Sequence, residues 1–165
     1  YHVVTGVQTC ALPISGVATI MTAHIVVREF DEKVPATLSP EIVTTLLRDE
    51  LGYRGVIVAD DLEMKAVSAS WPYAISGVLA AKAGCDLLPV CEHEEAQVAV
   101  IESLVRAEET GELRKRDIDD SLLRIEAMID KYTLPYSEPV PRIAVAAAGT
   151  TESRLLAARI GGVPV

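Results

Sequence analysis

In the stretch Gly55-Val-Ile-Val-Ala-Asp60-Asp61-Leu62-Glu63-Met64, an unbroken apolar run rich in β-branched residues ends in two adjacent carboxylates. A strand with one wet face alternates apolar and polar residues; a continuous run fits a parallel strand covered by helices on both faces. In α/β folds of that kind, ligands and chemistry gather beyond the carboxyl ends of the strands, which is where Asp60 falls. Neighbouring residues of an extended chain point to opposite faces, so Asp60 and Asp61 cannot both project into one cavity from a regular strand. One carboxylate then serves as nucleophile, general base or metal ligand, while the other ties down a loop or caps the turn over 62–67. Two acids that merely cap a helix N-terminus are the plainer alternative.

From Gly16 onward the pattern repeats as strand then helix, in units close to the 30 or so residues of a βαβ crossover. A first strand is expected over 17–23. Ser39-Pro40 then supplies an N-cap and a first-turn proline for a helix bearing Ile42, Val43, Leu46 and Leu47, stopped by Gly52. The second strand covers 56–59. An irregular stretch through Trp71-Pro72 leads to a helix over 74–83 closed by Gly84, and a third strand is expected over 85–90. Helices over 94–109 and 116–132 follow. In the second of these, Ile118, Leu122, Ile125, Ile129 and Tyr132 are spaced by three and four residues and form one apolar stripe. This order suits either a doubly wound sheet or part of an eight-unit barrel.

A net charge of −9 argues against a nucleic-acid partner, which would need clustered Lys and Arg, and suits an uncharged or cationic small molecule. No apolar run approaches the roughly 18 to 20 residues that cross a bilayer. Cys10, Cys85 and Cys91 form no CxxC pair and read as reduced, buried, inert thiols. The absence of GxGxxG, P-loop and GxSxG strings leaves dinucleotide, nucleotide and serine-hydrolase readings without support.

Two segments fall outside the repeat. Residues 1–15 carry no Asp, Glu, Lys or Arg, and Val3-Val-Thr-Gly-Val-Gln-Thr-Cys-Ala-Leu-Pro-Ile-Ser15 resembles the translation of a sequencing-adapter oligonucleotide, so it is expected to be foreign to the fold. Beyond Tyr132, Pro135, Pro139 and Pro141 interrupt any helix, and an Ala- and Gly-rich stretch reads as a linker over 136–165, with a helix possible over 151–160. Both ends read as truncated.

Other candidate residues lie at the ends of the flanking strands. His24 closes Met21-Thr-Ala-His24, where it can hydrogen-bond a ligand, move a proton, or simply be satisfied by a neighbouring carbonyl. Glu92-His93-Glu94-Glu95 opens a helix whose dipole favours acids, which accounts for it without a metal. Met64 and Trp71 suit a core or a pocket wall.

Met21-Thr-Ala-His24, Pro35-Ala-Thr-Leu-Ser-Pro40, Leu47-Arg-Asp-Glu-Leu-Gly52, the run from Gly55 to Met64, Ala83-Gly-Cys-Asp86 and Arg116-Asp-Ile-Asp-Asp-Ser-Leu-Leu-Arg-Ile125 together resemble family 3 glycoside hydrolases, over roughly residues 16–135. The Asp-Asp-Leu-x-Met string most resembles the bacterial β-N-acetylglucosaminidase branch; glucosidase branches carry Asp-Trp at this point. The resemblance implies the C-terminal part of a TIM-like (β/α)8 barrel of about three strand-helix units, followed by a linker towards a second domain. It implies Asp60 as catalytic nucleophile, forming a covalent glycosyl-enzyme with retention of configuration, and His24 and Met64 near the sugar. It implies no metal or cofactor, and a substrate containing N-acetylglucosamine, such as a muropeptide or a chitin oligomer. No protein partner is implied.

The sequence departs from the branch in one respect. The general acid/base there is a histidine in a motif resembling Lys-His-x-Pro-Gly-His-Gly, and no such string occurs in this chain. Without general acid catalysis a rate falls by about 10² to 10⁴, so the chain alone is expected to be inactive. Three of eight strands would also leave open edges and exposed apolar surface, favouring aggregation or loose packing. Two other readings are a barrel that binds sugar without turnover and a receiver-like, Mg²⁺-binding signalling domain. The latter needs its acid pair on the first strand and a Lys after a later one, which this spacing does not supply.

Overall fold

The computed structural model describes residues 16–133 and 150–161. They fall in two units, one ending at Tyr132 and the other starting at Thr133. The expectations for residues 1–15 and for the proline-containing segment 134–149 lie outside the described residues. In the second unit, α5 (Thr151–Gly161) occupies the region where a further helix was expected, with Glu152 in its first turn and Arg159 in its last, matching the helix dipole.

The first unit is built on β1 (Thr19–Met21) and β2 (Val56–Val58), paired in parallel with Ile20 opposite Ile57. Val56 and Ile57 are fully buried, and Ala59 beyond them is too, as the continuous apolar run requires. The expected third strand is reduced to a parallel bridge between Val58 and Leu87. Asp86 and Leu87 donate to the Ile57 carbonyl, and Ala59 donates to that of Leu87. The ladder is short because the Asp86 carboxylate takes the Ile57 N–H at 2.7 Å, and Pro89 has no N–H to extend the pairing.

Between β1 and β2 the chain makes a 3-10 turn (Ala36–Leu38) and a ten-residue helix (Glu41–Glu50) with π winding. Its last turn is wide: Leu51 donates to the Leu46 carbonyl five residues back. The Ser39 carbonyl accepts the Val43 N–H at 3.0 Å ahead of a helical Pro40, but its side chain does not cap the helix, contrary to expectation: it is fully buried and its hydroxyl donates to Asp31 Oδ2 at 2.9 Å. A short helix α1 (Lys65–Ser68) precedes α2 (Tyr73–Ala83), α3 (Glu94–Glu109) and α4 (Lys115–Tyr132). Gly84 ends α2 at φ 107°, a left-handed conformation that glycine adopts without strain. Gly77 lets α2 and α3 approach closely, since a Cβ there would lie 2.8 Å from Val100 Cγ1.

The main core gathers Leu38, Val43, Ile57, Leu62, Val67 and Ala80 around the strands, with Trp71 against its margin. A second cluster joins Val78 of α2, Ala107 of α3 and Leu113, with Ile118 of α4 packed on it. In the rest of the α4 stripe Ile125 is half-buried, whereas Leu122 is 51% and Tyr132 53% exposed. Beside Ile118 and Ile125, α4 also sends polar groups inward. Ser121 Oγ and the Arg124 guanidinium donate to Asp86 Oδ1 at 2.6 and 2.8 Å. Asp86 also accepts from Arg48 at 2.5 Å, so one fully shielded carboxylate joins the π-wound helix, β2 and α4. Among the described residues β1 pairs only with β2, and Met21, Ile25 and Phe30 around its carboxyl end are half exposed or more.

Candidate active site

Three loops meet where the strands end: 22–24 after β1, 60–64 after β2, and 89–93 after the bridged segment. Parallel pairing puts these ends side by side, and backbone bonds from Thr22 to the Val58 carbonyl (2.9 Å) and from Leu62 to that of Pro89 (3.1 Å) hold them there. Leu62, fully buried, anchors the middle loop to the core and turns its acidic neighbours to the rim.

The two adjacent aspartates differ in how they are engaged. Asp61 Oδ1 accepts the Glu63 N–H at 3.1 Å and closes the turn, while the Asp61 carbonyl accepts from the Met64 N–H. Asp60 is half-buried, and its Oδ1 accepts the N–H of Asp61 at 2.9 Å. Among the described residues no side-chain donor engages Asp60. Each carboxylate thus accepts one backbone N–H, that of Asp61 shaping the turn and that of Asp60 holding only the next residue.

His24 is satisfied on both sides of its ring. Nε2 lies 2.9 Å from the Asp61 carbonyl, which can only accept, so Nε2 carries a proton. In the neutral ring Nδ1 then accepts from the Thr37 hydroxyl at 3.0 Å, and Thr37 in turn receives the Thr22 hydroxyl at 3.0 Å. Thr22, Thr37 and His24 form a polar chain that ends on the backbone of the Asp60-Asp61 turn. Met64 precedes α1 with its side chain 45% exposed at the same rim.

The third loop is held by Glu63, whose side chain is only 5% exposed. Its carboxylate accepts the Glu92 N–H at 2.5 Å, the His93 N–H at 3.0 Å and His93 Nδ1–H at 2.7 Å. The Glu92 N–H bond, with the donors from His93, holds Glu63 below the usual carboxylate range. Glu63, and after it Glu92, raises His93 above the ordinary imidazole value.

Cys91 is exposed on this rim rather than buried as expected, because the chain turns outward after Val90. Loss of solvent around its sulfur and the nearby Asp61, Glu63 and Asp60 carboxylates push its thiol up. Cys85 is buried, and burial pushes it up to about 12. Cys10 lies outside the described residues. A hollow of about 480 Å³ lies between Gly16, Val17, Arg54 and Gly55 at the amino ends of the strands and Arg124 and Tyr132 of α4, away from Asp60. Asp60 stands on an open rim.

The glycosyl hydrolase family 3 N-terminal domain model matches residues 9–128. The chain belongs to that family. It is 37% identical over 95 residues to a β-hexosaminidase of Alkalilimnicola ehrlichii, covering 58% of this chain and 27% of that protein. It is 34% identical over 158 residues to β-hexosaminidase A of Pseudoalteromonas piscicida, covering 86% of this chain and 26% of that one. Among solved structures, a glycoside hydrolase family 3 β-N-acetylglucosaminidase from Paenibacillus sp. str. FPU-7 superposes with a TM-score of 0.76 at 37% identity, over 79% of this chain and 25% of that one. The chain spans about a quarter of the length of these relatives. Its fold is accordingly part of a TIM-like α/β barrel, with the three loops at the barrel's carboxyl-terminal face.

Three residues important to this geometry escaped the sequence reading as individuals: Glu63, Thr37 and Asp86. Each lies inside a string that carries the family resemblance. Asp86 had a signal of its own, since a charge opening an apolar run is costly to bury unless paired.

Proposed function

We propose that this chain carries the nucleophile of a retaining β-N-acetylglucosaminidase, and that the nucleophile is Asp60. The observation that supports this most is how two carboxylates that each accept one backbone N–H are placed: Asp61 Oδ1 closes the turn onto Glu63, whereas Asp60, ending the β2 run, holds only the N–H of the next residue. A carboxylate held at one oxygen can deliver the other to the anomeric carbon. The C–O bond to the enzyme forms as the bond to the leaving group breaks, and water then attacks the same carbon with net retention. Proton donation to the leaving oxygen falls to a group outside these residues, because the branch's histidine motif is absent from the chain. The chain alone is therefore inactive in this reading. The substrate is a terminal N-acetyl-β-D-glucosaminide, of muropeptide or chitin-oligomer type.

In the same reading Met64 offers an exposed apolar side chain to the sugar, and His24 acts mainly by fixing the Asp61 carbonyl. The test is a hybrid in which these residues replace the matching quarter of the Paenibacillus enzyme, assayed on a chromogenic N-acetylglucosaminide. The hybrid should turn over, and its Asp60→Asn form should lose about 10³-fold or more, as expected when a covalent nucleophile is removed. Equal rates in the two would refute the assignment.

A further inference from the structure

We propose that Glu63 is a positioning residue for Asp60, clamping the acidic turn to the neighbouring loop with His93 as its ionic partner. This rests on the reading of Asp60 given above. The geometry is a relay of three steps. The loop at 92–93 donates three N–H groups to the Glu63 carboxylate. The N–H of Glu63 itself binds Asp61 Oδ1. The N–H of Asp61 binds Asp60 Oδ1. A shift of Glu63 is thus passed to Asp60 through two consecutive backbone-to-carboxylate bonds.

The other holds on this turn leave that role open. Leu62 pins its backbone to Pro89, and His24 fixes the Asp61 carbonyl from the β1 side, but neither touches the carboxylate of Asp61 or Asp60. Glu63 closes the remaining side. Its near-complete shielding at an otherwise open rim means that its donors come from protein rather than water, which favours one geometry. A plain helix-dipole acid would be satisfied at the start of α3 without engaging the imidazole. The groups facing His93 are Glu63, Glu92 and Glu95, all anionic, so the ring has a reason to stay protonated and in place.

The test uses the whole 165-residue chain, ¹⁵N-labelled, and reads two signals: the hydrogen-exchange protection of the Asp61 amide, which reports its bond to Asp60 Oδ1, and the protonation of the His93 ring. Glu63→Gln should lower the protection of the Asp61 amide by about fivefold or more and return His93 towards the ordinary imidazole value, with the protection of the Val56–Val58 amides unchanged as a check on the fold. An Asp61 amide as protected in Glu63→Gln as in the parent chain overturns the proposal, leaving Glu63 as a cap for α3 only. If Glu63→Gln disturbs the Val56–Val58 amides, His93→Ala decides instead. That ring is 57% exposed and its loss spares the core; a weakened Asp61 protection supports the clamp and an unchanged one overturns it. Neither signal depends on turnover. A hybrid whose Asp60→Asn form stays active removes the nucleophile while leaving these signals as they are, so the two failures are told apart.

Discussion

Removing the Asp86 carboxylate should be the most damaging single change in the first unit. Its side chain is fully shielded and accepts from Arg48, Arg124, Ser121 and the Ile57 N–H. The partners differ in their escape. The Arg124 side chain is 27% exposed and can turn to water, whereas that of Arg48 is 10% exposed and is also held by the Tyr53 and Gly55 carbonyls. Asp86→Ala therefore strands a buried guanidinium and an unpaired strand N–H. Deleting one partner of a buried ion pair costs about 3–5 kcal/mol, against total folding free energies of about 5–15 kcal/mol. Asp86→Asn should cost less, because its amide oxygen still accepts from Ile57.

Urea unfolding read by Trp71, the sole tryptophan and one that packs on the main core, measures the loss directly. The decisive variant is Asp86→Leu with Arg48→Met. If the cost arises from stranded charge, this pair should be more stable than either single variant, with a coupling of about 2 kcal/mol or more. Asp86→Ala within about 1 kcal/mol of wild type, or a double variant whose losses simply add, would refute the reasoning.

Two further outcomes concern the rim. The Cys91 thiol is pushed up by lost solvation and by Asp61, so at pH 8 iodoacetamide should label it more slowly than a free thiol. Asp61→Asn should speed that labelling, while buried Cys85 stays unlabelled in the folded chain; peptide mass spectrometry reads each site, and no acceleration would contradict the electrostatic account. The Glu63–His93 pair should give a bell-shaped contribution to stability. Glu63, depressed in the fold, stabilises above its ordinary value and loses that contribution as pH falls through its folded value. His93, raised in the fold, stabilises below its ordinary value and loses that contribution as pH rises through its folded one. The difference in thermal midpoint between wild type and Glu63→Gln should therefore be largest between those limits and shrink on both sides. A difference independent of pH would show that charge is not its source.

What the sequence revealed depended on whether the deciding interaction was local. The helix expected over 94–109 is α3 (Glu94–Glu109), and those over 74–83 and 116–132 each gain one residue at the start, because dipole-matched acids and terminal glycines act within a turn of the residues they govern. β2 was legible from its apolar run. The first strand, expected over 17–23, is limited to Thr19–Met21, where β2 is its one partner among the described residues. The third, expected over 85–90, shrank to a bridge because Asp86 within it spends its carboxylate on the ladder. The stripe on α4 was legible in its period, and Ile118 packs as such a stripe requires, but nothing in that period showed that Ser121 and Arg124 also face inward, drawn by Asp86. Asp86 pairs with Arg48 and Arg124 across 38 positions each, and Glu63 with His93 across 30, separations that leave no periodic trace.

The carboxylates near the strands can be ordered by the donors they have already taken. Asp86 is surrounded by two guanidinium groups, a hydroxyl and a backbone N–H; Glu63 by two backbone N–H groups and an imidazole; Asp61 and Asp60 each take one backbone N–H. Each hydrogen bond accepted in the fold stabilises the anion where it stands and draws electron density from the lone pairs an attack would use. Burial runs the same way, since Asp86 is fully shielded and Glu63 nearly so, whereas Asp60 is half-buried at the rim. The most satisfied groups therefore hold the loops, and the two least satisfied, Asp60 and Asp61, are left at the rim. This ordering supports the acid pair over Asp86 and Glu63 on grounds independent of the family match, and within the pair Asp61 is the one that closes the turn onto Glu63. It also explains why a reacting carboxylate would need the others: an oxygen free enough to attack must be aimed by bonds that its neighbours make on its behalf.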